Sequence, residues 1–206
     1  MSVGKSKKSR SSRPDLLTLA LEMIGDAGWA GFSFADLAVR AEIPLAEVRA
    51  HFSGRTGLLE ALSLRLDEAM LAVDRDELLD LPTRDRIFEL IMSRIEAMAS
   101  FRSGLVRLAR DARRDPELVL MTACRLDRSL AWLQDAAGLR SDGLKAHLQR
   151  KLLVTIYLRT LSVWSRDDSQ DLAKTMASLD KQLRQFEGWA GFGHQAGLAG
   201  ETVGSA

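Results

Sequence analysis

An all-α fold is predicted by two features of this 206-residue chain: apolar residues recur at three- and four-residue spacing over long stretches, and the alternating pattern of strands is almost absent. The helices follow in order. Leu16, Leu17, Leu19, Ala20, Met23 and Ile24 form one stripe that stops at Gly25 and Gly28, giving a first helix of about three turns. Ser33 stands three residues before Asp36, a capping spacing that opens a short helix carrying Phe34, Leu37 and Ala38. Pro44 opens another, with Leu45, Val48 and Phe52 expected on its inward side. After a break at Ser53 and Gly54, Leu58, Leu59, Leu62 and Leu66 lead a longer helix reaching about residue 74.

Longer helices fill the rest. Pro82 and Thr83 precede Ile87, Leu90, Ile91, Ile95 and Met98, and a turn is expected near Arg102 to Gly104. Asp115 and Pro116 start a helix through Met121, Leu126, Leu130 and Leu133. Ser141 or Asp142 caps the next, which runs through Leu144, Leu148, Leu152, Ile156 and Leu161 to Trp164. Asp167, Asp168 and Ser169 read as a connector and cap before a last amphipathic helix with Leu172, Met176, Leu179, Leu183 and Phe186. Residues 191–206 are expected to be a flexible tail.

Composition narrows the function. The single cysteine, Cys124, excludes an internal disulfide framework, and His51, His147 and His194 have no metal-ligand spacing. No apolar run approaches the roughly 18 residues that span a bilayer, and residues 1–13 lack the apolar centre of a secretory signal, so a cytoplasmic protein is expected. The net charge of +1 is unevenly placed: Lys5, Lys7, Lys8, Arg10 and Arg13 precede the first acid, Asp15, as a basic, Ser-rich arm suited to polyanions. No catalytic constellation is found. Asp167 and Asp168 have no histidine partner, Cys124 sits in an apolar run, and no phosphate-cradling glycine loop is present, so neither an enzyme nor a cofactor is expected.

The block LLTLALEMIGDAGWAGFSFADLAVRAEIPLAEVRAHFSGRTGLLEAL resembles the DNA-binding headpiece of the TetR family of bacterial repressors. The resemblance rests on the apolar first helix, Gly28, Ser33, Asp36-Leu37-Ala38, Ala41, Ile43 to Val48, His51-Phe52, and Arg55 followed by Leu58-Leu59. It implies a helix-turn-helix headpiece over residues 14–60, whose third helix enters the major groove of double-stranded operator DNA, and a ligand-binding and dimerisation domain over 61–190. Carried onto this chain, the family's phosphate contacts fall on Ser33, His51, Arg55 and Thr56, base reading on Leu45, Ala46, Glu47 and Arg49, and Arg40 lies close to the DNA backbone. The chain departs from the family where a turn glycine is usual and Glu42 stands, and where a turn serine is usual and Pro44 stands. Residues 14–60 carry three arginines against seven acids, a net charge of −4.

Residues 150–183 resemble the C-terminal helices of the ubiquinone-biosynthesis accessory family that binds isoprenoid lipids on a TetR-like scaffold, through Arg150-Lys151, Ile156-Tyr157, Thr160, Asp168-Ser169, Asp171, Thr175 and Leu179-Asp180. That likeness implies a sensor domain for a small apolar effector and leaves open a lipid carrier that does not bind DNA. Met92, Met98, Phe101, Met121, Trp132, Tyr157 and Trp164 are the candidate pocket residues, because thioethers and rings adapt to varied apolar ligands. The last two helices have broad apolar faces, so a homodimer paired through them is expected.

Overall fold

The computed structural model describes residues 15–139 and 143–190, and among these there are α-helices, two single 3-10 turns and no strand. The basic arm 1–13, the caps proposed at Ser141 and Asp142, the tail from 191 and the side chain of Phe186 lie outside the described residues. The helices are α1 (Leu16–Gly31), α2 (Phe34–Arg40), α3 (Leu45–His51), α4 (Arg55–Leu71), α5 (Arg75–Asp80), α6 (Thr83–Ala97), α7 (Arg102–Asp111), α8 (Pro116–Ala136), α9 (Gly143–Trp164) and α10 (Ala173–Ala190).

Local chemistry sets most of the boundaries. Asp15 caps α1 by accepting from the Leu17 N–H at 3.2 Å, and the Ser33 hydroxyl caps α2 by accepting from Ala35 and Asp36. Asp74 caps α5, a short helix that the apolar spacing does not announce. Asp115 caps α8, with Pro116 at its first position, where a missing N–H costs nothing. The first helix is longer than expected. Gly28 leaves helical geometry at φ 80°, and the chain then resumes helix to Gly31.

The expected turn at Arg102 to Gly104 is displaced. The chain turns at Ala99–Phe101, and Gly104 lies inside α7, where a β-carbon would come within 2.4 Å of the Leu21 carbonyl oxygen of α1. Gly104 is therefore a close-approach glycine that lets α7 lie against α1. The contact ends in a polar tie, because the Trp29 N–H donates to Asp111 at 2.8 Å and Arg107 donates to the same carboxylate.

One core runs through the molecule, from Leu21, Ile24, Leu37 and Phe52 to Ile87, Ile95, Leu130, Leu153 and Leu183. Each such side chain contributes about 1.5–3 kcal/mol through removal from water. Between α9 and α10 the connector behaves as read from the sequence. The buried Asp167 carboxylate accepts from the Thr175 N–H at 2.8 Å, the Thr175 hydroxyl at 2.6 Å and the Ser169 N–H at 3.1 Å. Hydroxyl donation from Ser169 and Thr175 holds this carboxyl well below the usual carboxylate range, and the Trp29 N–H does the same, less strongly, for Asp111. Both groups bind protons more weakly folded than unfolded, so their stabilisation is complete above the ordinary value of 3.8 and fades as pH falls below it. In a thermal-unfolding series the midpoint is expected to drop below about pH 4, and to drop less in Asp167→Asn.

Candidate nucleic-acid interface and sensor core

The α2–α3 pair is a helix-turn-helix closed by Ile43 N–H to Ala38 O at 3.1 Å and by the buried Leu37, Ala38, Val48 and Phe52. Glu42 sits in its turn at φ 54°, the left-handed region where the family's usual glycine is at ease. A glutamate there carries local backbone strain of about 1–2 kcal/mol.

Two faces of α3 have different neighbours. Val48 faces inward, while Leu45, Ala46, Arg49 and Ala50 form an outer face open to solvent. Leu45, expected inside, is 51% exposed: it opens α3, whose buried residue is Val48 one turn later. Glu47 is half-buried and turns away from the outer face. With His51, Arg65 and Glu68 it lines a 650 Å³ groove floored by Leu16, Leu17 and Phe52. His51 is exposed at the end of α3 and reaches both the groove and solvent.

The other candidate DNA contacts separate. Arg40 is exposed on α2 and lies 3.8 Å from Glu22 and 4.0 Å from Asp26. The Ser33 hydroxyl is engaged as a cap. Arg55 holds the molecule's own backbone: its guanidinium donates to Phe32 O at 2.8 Å and lies 4.9 Å from the Trp29 ring centre. The exposed Thr56 hydroxyl donates to the Met121 sulfur at 3.5 Å. Two of the seven acids of residues 14–60 meet arginines from later helices. Asp15 pairs with Arg65 at 3.0 Å, and Glu60 pairs with Arg125 and Arg128 of α8 at 3.1 and 3.3 Å. Sequence reading missed this neutralisation because the partners lie up to 68 residues away.

The candidate pocket residues also divide. Met92, Met98, Phe101, Tyr157 and Trp164 are buried together in the core. Met121 lies instead beside Thr56 at the junction of α4 and α8, and Trp132 is 54% exposed on α8. The structure adds a polar cluster that spacing alone did not reveal. Arg94, 4% exposed, joins Asp67 of α4, Ser129 of α8 and Tyr157 of α9. Burial pushes the Tyr157 hydroxyl above its ordinary pKa, so at neutral pH it is a protonated donor.

A TetR transcriptional regulator from Nitrosomonas europaea ATCC 19718 is 26% identical to the chain and superposes with a TM-score of 0.68, over 82% of this chain and 94% of that one. The chain has the TetR-family fold. The regulator PfmR of Thermus thermophilus, 17% identical, shares that fold with a TM-score of 0.54 over 82% of this chain and 97% of its own. The family model COQ9 matches residues 128–189, from the middle of α8 to the end of α10. No curated protein sequence is significantly similar to the chain. No described helix of this TetR-like chain is long and apolar enough to cross a membrane, and no described group of His, Cys, Asp or Glu is arranged to hold a metal ion.

Proposed function

We propose that the chain is a cytoplasmic, homodimeric TetR-type repressor, with residues 14–60 binding operator DNA and residues 61–190 sensing a small apolar effector. The outer face of α3 carries this reading. Leu45, Ala46, Arg49 and Ala50 are turned to solvent on a helix held at its back by Val48, a shape suited to the major groove, and Glu47 is turned aside. Dimerisation through α9 is supported by an exposed row of Leu144, Leu148 and Leu158, 83%, 59% and 52% accessible. The outward residues of α10 include Lys174, Lys181 and Arg184, so its share of that interface is more polar than the apolar spacing suggested. We assign no catalytic role.

Anisotropy with DNA from upstream of the chain's own coding region tests the proposal. Arg49→Ala is expected to weaken the complex by about 1–3 kcal/mol at unchanged unfolding temperature. Arg55→Ala should lower both affinity and unfolding temperature, since its guanidinium ties α4 to the end of α1. Absence of any sequence-preferring complex at low salt would sink the regulator. The match of residues 128–189 to the COQ9 model favours a second reading, a lipid-binding accessory protein of quinone biosynthesis that makes no use of DNA. Lipid co-purifying with a chain that ignores DNA would establish it.

A further inference from the structure

Arg94 is a cation enclosed among α4, α6, α8 and α9. Its Nε donates to the Tyr157 hydroxyl at 3.1 Å, one terminal nitrogen to Asp67 and the other to the Ser129 hydroxyl at 3.4 Å. Ser129 in turn donates to the second Asp67 oxygen at 2.9 Å, so the carboxylate is held by two donors within the core. Beyond the charges the surroundings turn apolar: the Tyr157 hydroxyl also donates to the Met98 sulfur at 3.4 Å, with Leu90 and Ile91 one turn back on α6 and buried.

An enclosed ion pair is a poor way to stabilise a core, because desolvation of the two charges offsets their attraction and an apolar pair of equal volume does as well or better. The arrangement is, however, a ready-made receptor for one planar carboxylate: a guanidinium nitrogen meets one oxygen and the Ser129 hydroxyl the other, with the Met98 thioether one hydroxyl away across Tyr157. Asp67 occupies that receptor from α4 and is the less enclosed partner, its side chain 14% exposed against 5% for Arg94.

We propose that Arg94 is the anion-recognition group of the sensor, and that its effector is an amphiphile with a single carboxylate head which takes the place of Asp67 while its apolar tail packs beside Met98. The proposal rests on reading residues 61–190 as a ligand-binding domain and specifies which ligands that domain takes. Displacing Asp67 cuts one buried polar tie of α4 to α6 and α8, and α4 begins at Arg55, just after α3. Effector binding thereby reaches the DNA-reading end through a helix that both ends share.

Laurate and dodecanol, equal in tail and different in head, test this by calorimetry on the full chain below micelle-forming concentrations. Laurate is expected to bind at least about tenfold more tightly than dodecanol, the scale of a charge-assisted contact. Arg94→Met should erase that preference. Asp67→Asn, which leaves the guanidinium without its counter-ion, should raise laurate affinity several-fold. Equal binding of the two probes by the native chain, binding of neither, or a preference that survives Arg94→Met would overturn the proposal. Should Arg94→Met not fold, Asp67→Asn decides alone, and laurate affinity unchanged or weakened there overturns it. Operator binding without amphiphile is a separate measurement, so failure of the regulator reading and failure of the anion site are told apart.

Discussion

Asp67→Ala is expected to destabilise the protein by about 3–5 kcal/mol, because it strands Arg94 as an enclosed charge with only hydroxyl partners. The loss should appear in denaturant melts as a lower midpoint with little change in slope. The paired replacement Asp67→Leu with Arg94→Met is expected to recover most of it, since removing both charges also removes the desolvation cost. A double variant as unstable as Asp67→Ala would mean that the cluster supports the core by something other than charge pairing. Recovered stability with lost effector response would place the pair in signalling and not in folding.

Gly104→Ala is expected to cost about 1–3 kcal/mol, a large effect for one methyl group. The added carbon would meet the Leu21 carbonyl oxygen at 2.4 Å and the carbonyl carbon at 2.9 Å, and backbone atoms cannot rotate away as a flexible side chain can. Relief requires α1 and α7 to part, which loosens the Trp29–Asp111 tie as well. The checks are the unfolding midpoint and operator affinity, both of which should fall together. An unchanged midpoint would show that α7 slides along α1 at little cost.

Much of this architecture is legible in the residues. Ser33, Asp115 with Pro116, and the Asp167–Ser169 connector each announce a helix end through hydrogen bonds that are local in sequence, and each makes them. Glu42 is legible as a departure from the family pattern, and its left-handed backbone shows why a glycine is usual there. What spacing could not give is long-range. Gly104 looks like a turn until Leu21 is placed beside it, and Leu45 looks like a core residue until α3 is seen to bury Val48 and leave its first residue outside. Arg94 reads as one more surface arginine on α6. Its partners Asp67, Ser129 and Tyr157 come from three other helices, 27, 35 and 63 residues away, and no periodicity within α6 signals their convergence.

The Asp167 junction bears on how two protomers would face each other. One carboxylate fastens the exit of α9 to the first turn of α10, and Arg102 donates to the Asp167 carbonyl oxygen at 2.7 Å while its guanidinium stacks against Trp164. The angle between the helices proposed for pairing is thus fixed inside each monomer before any partner arrives. Assembly would then join two finished surfaces, and the spacing of a pair of reading heads along a duplex would be inherited from a side chain far from either.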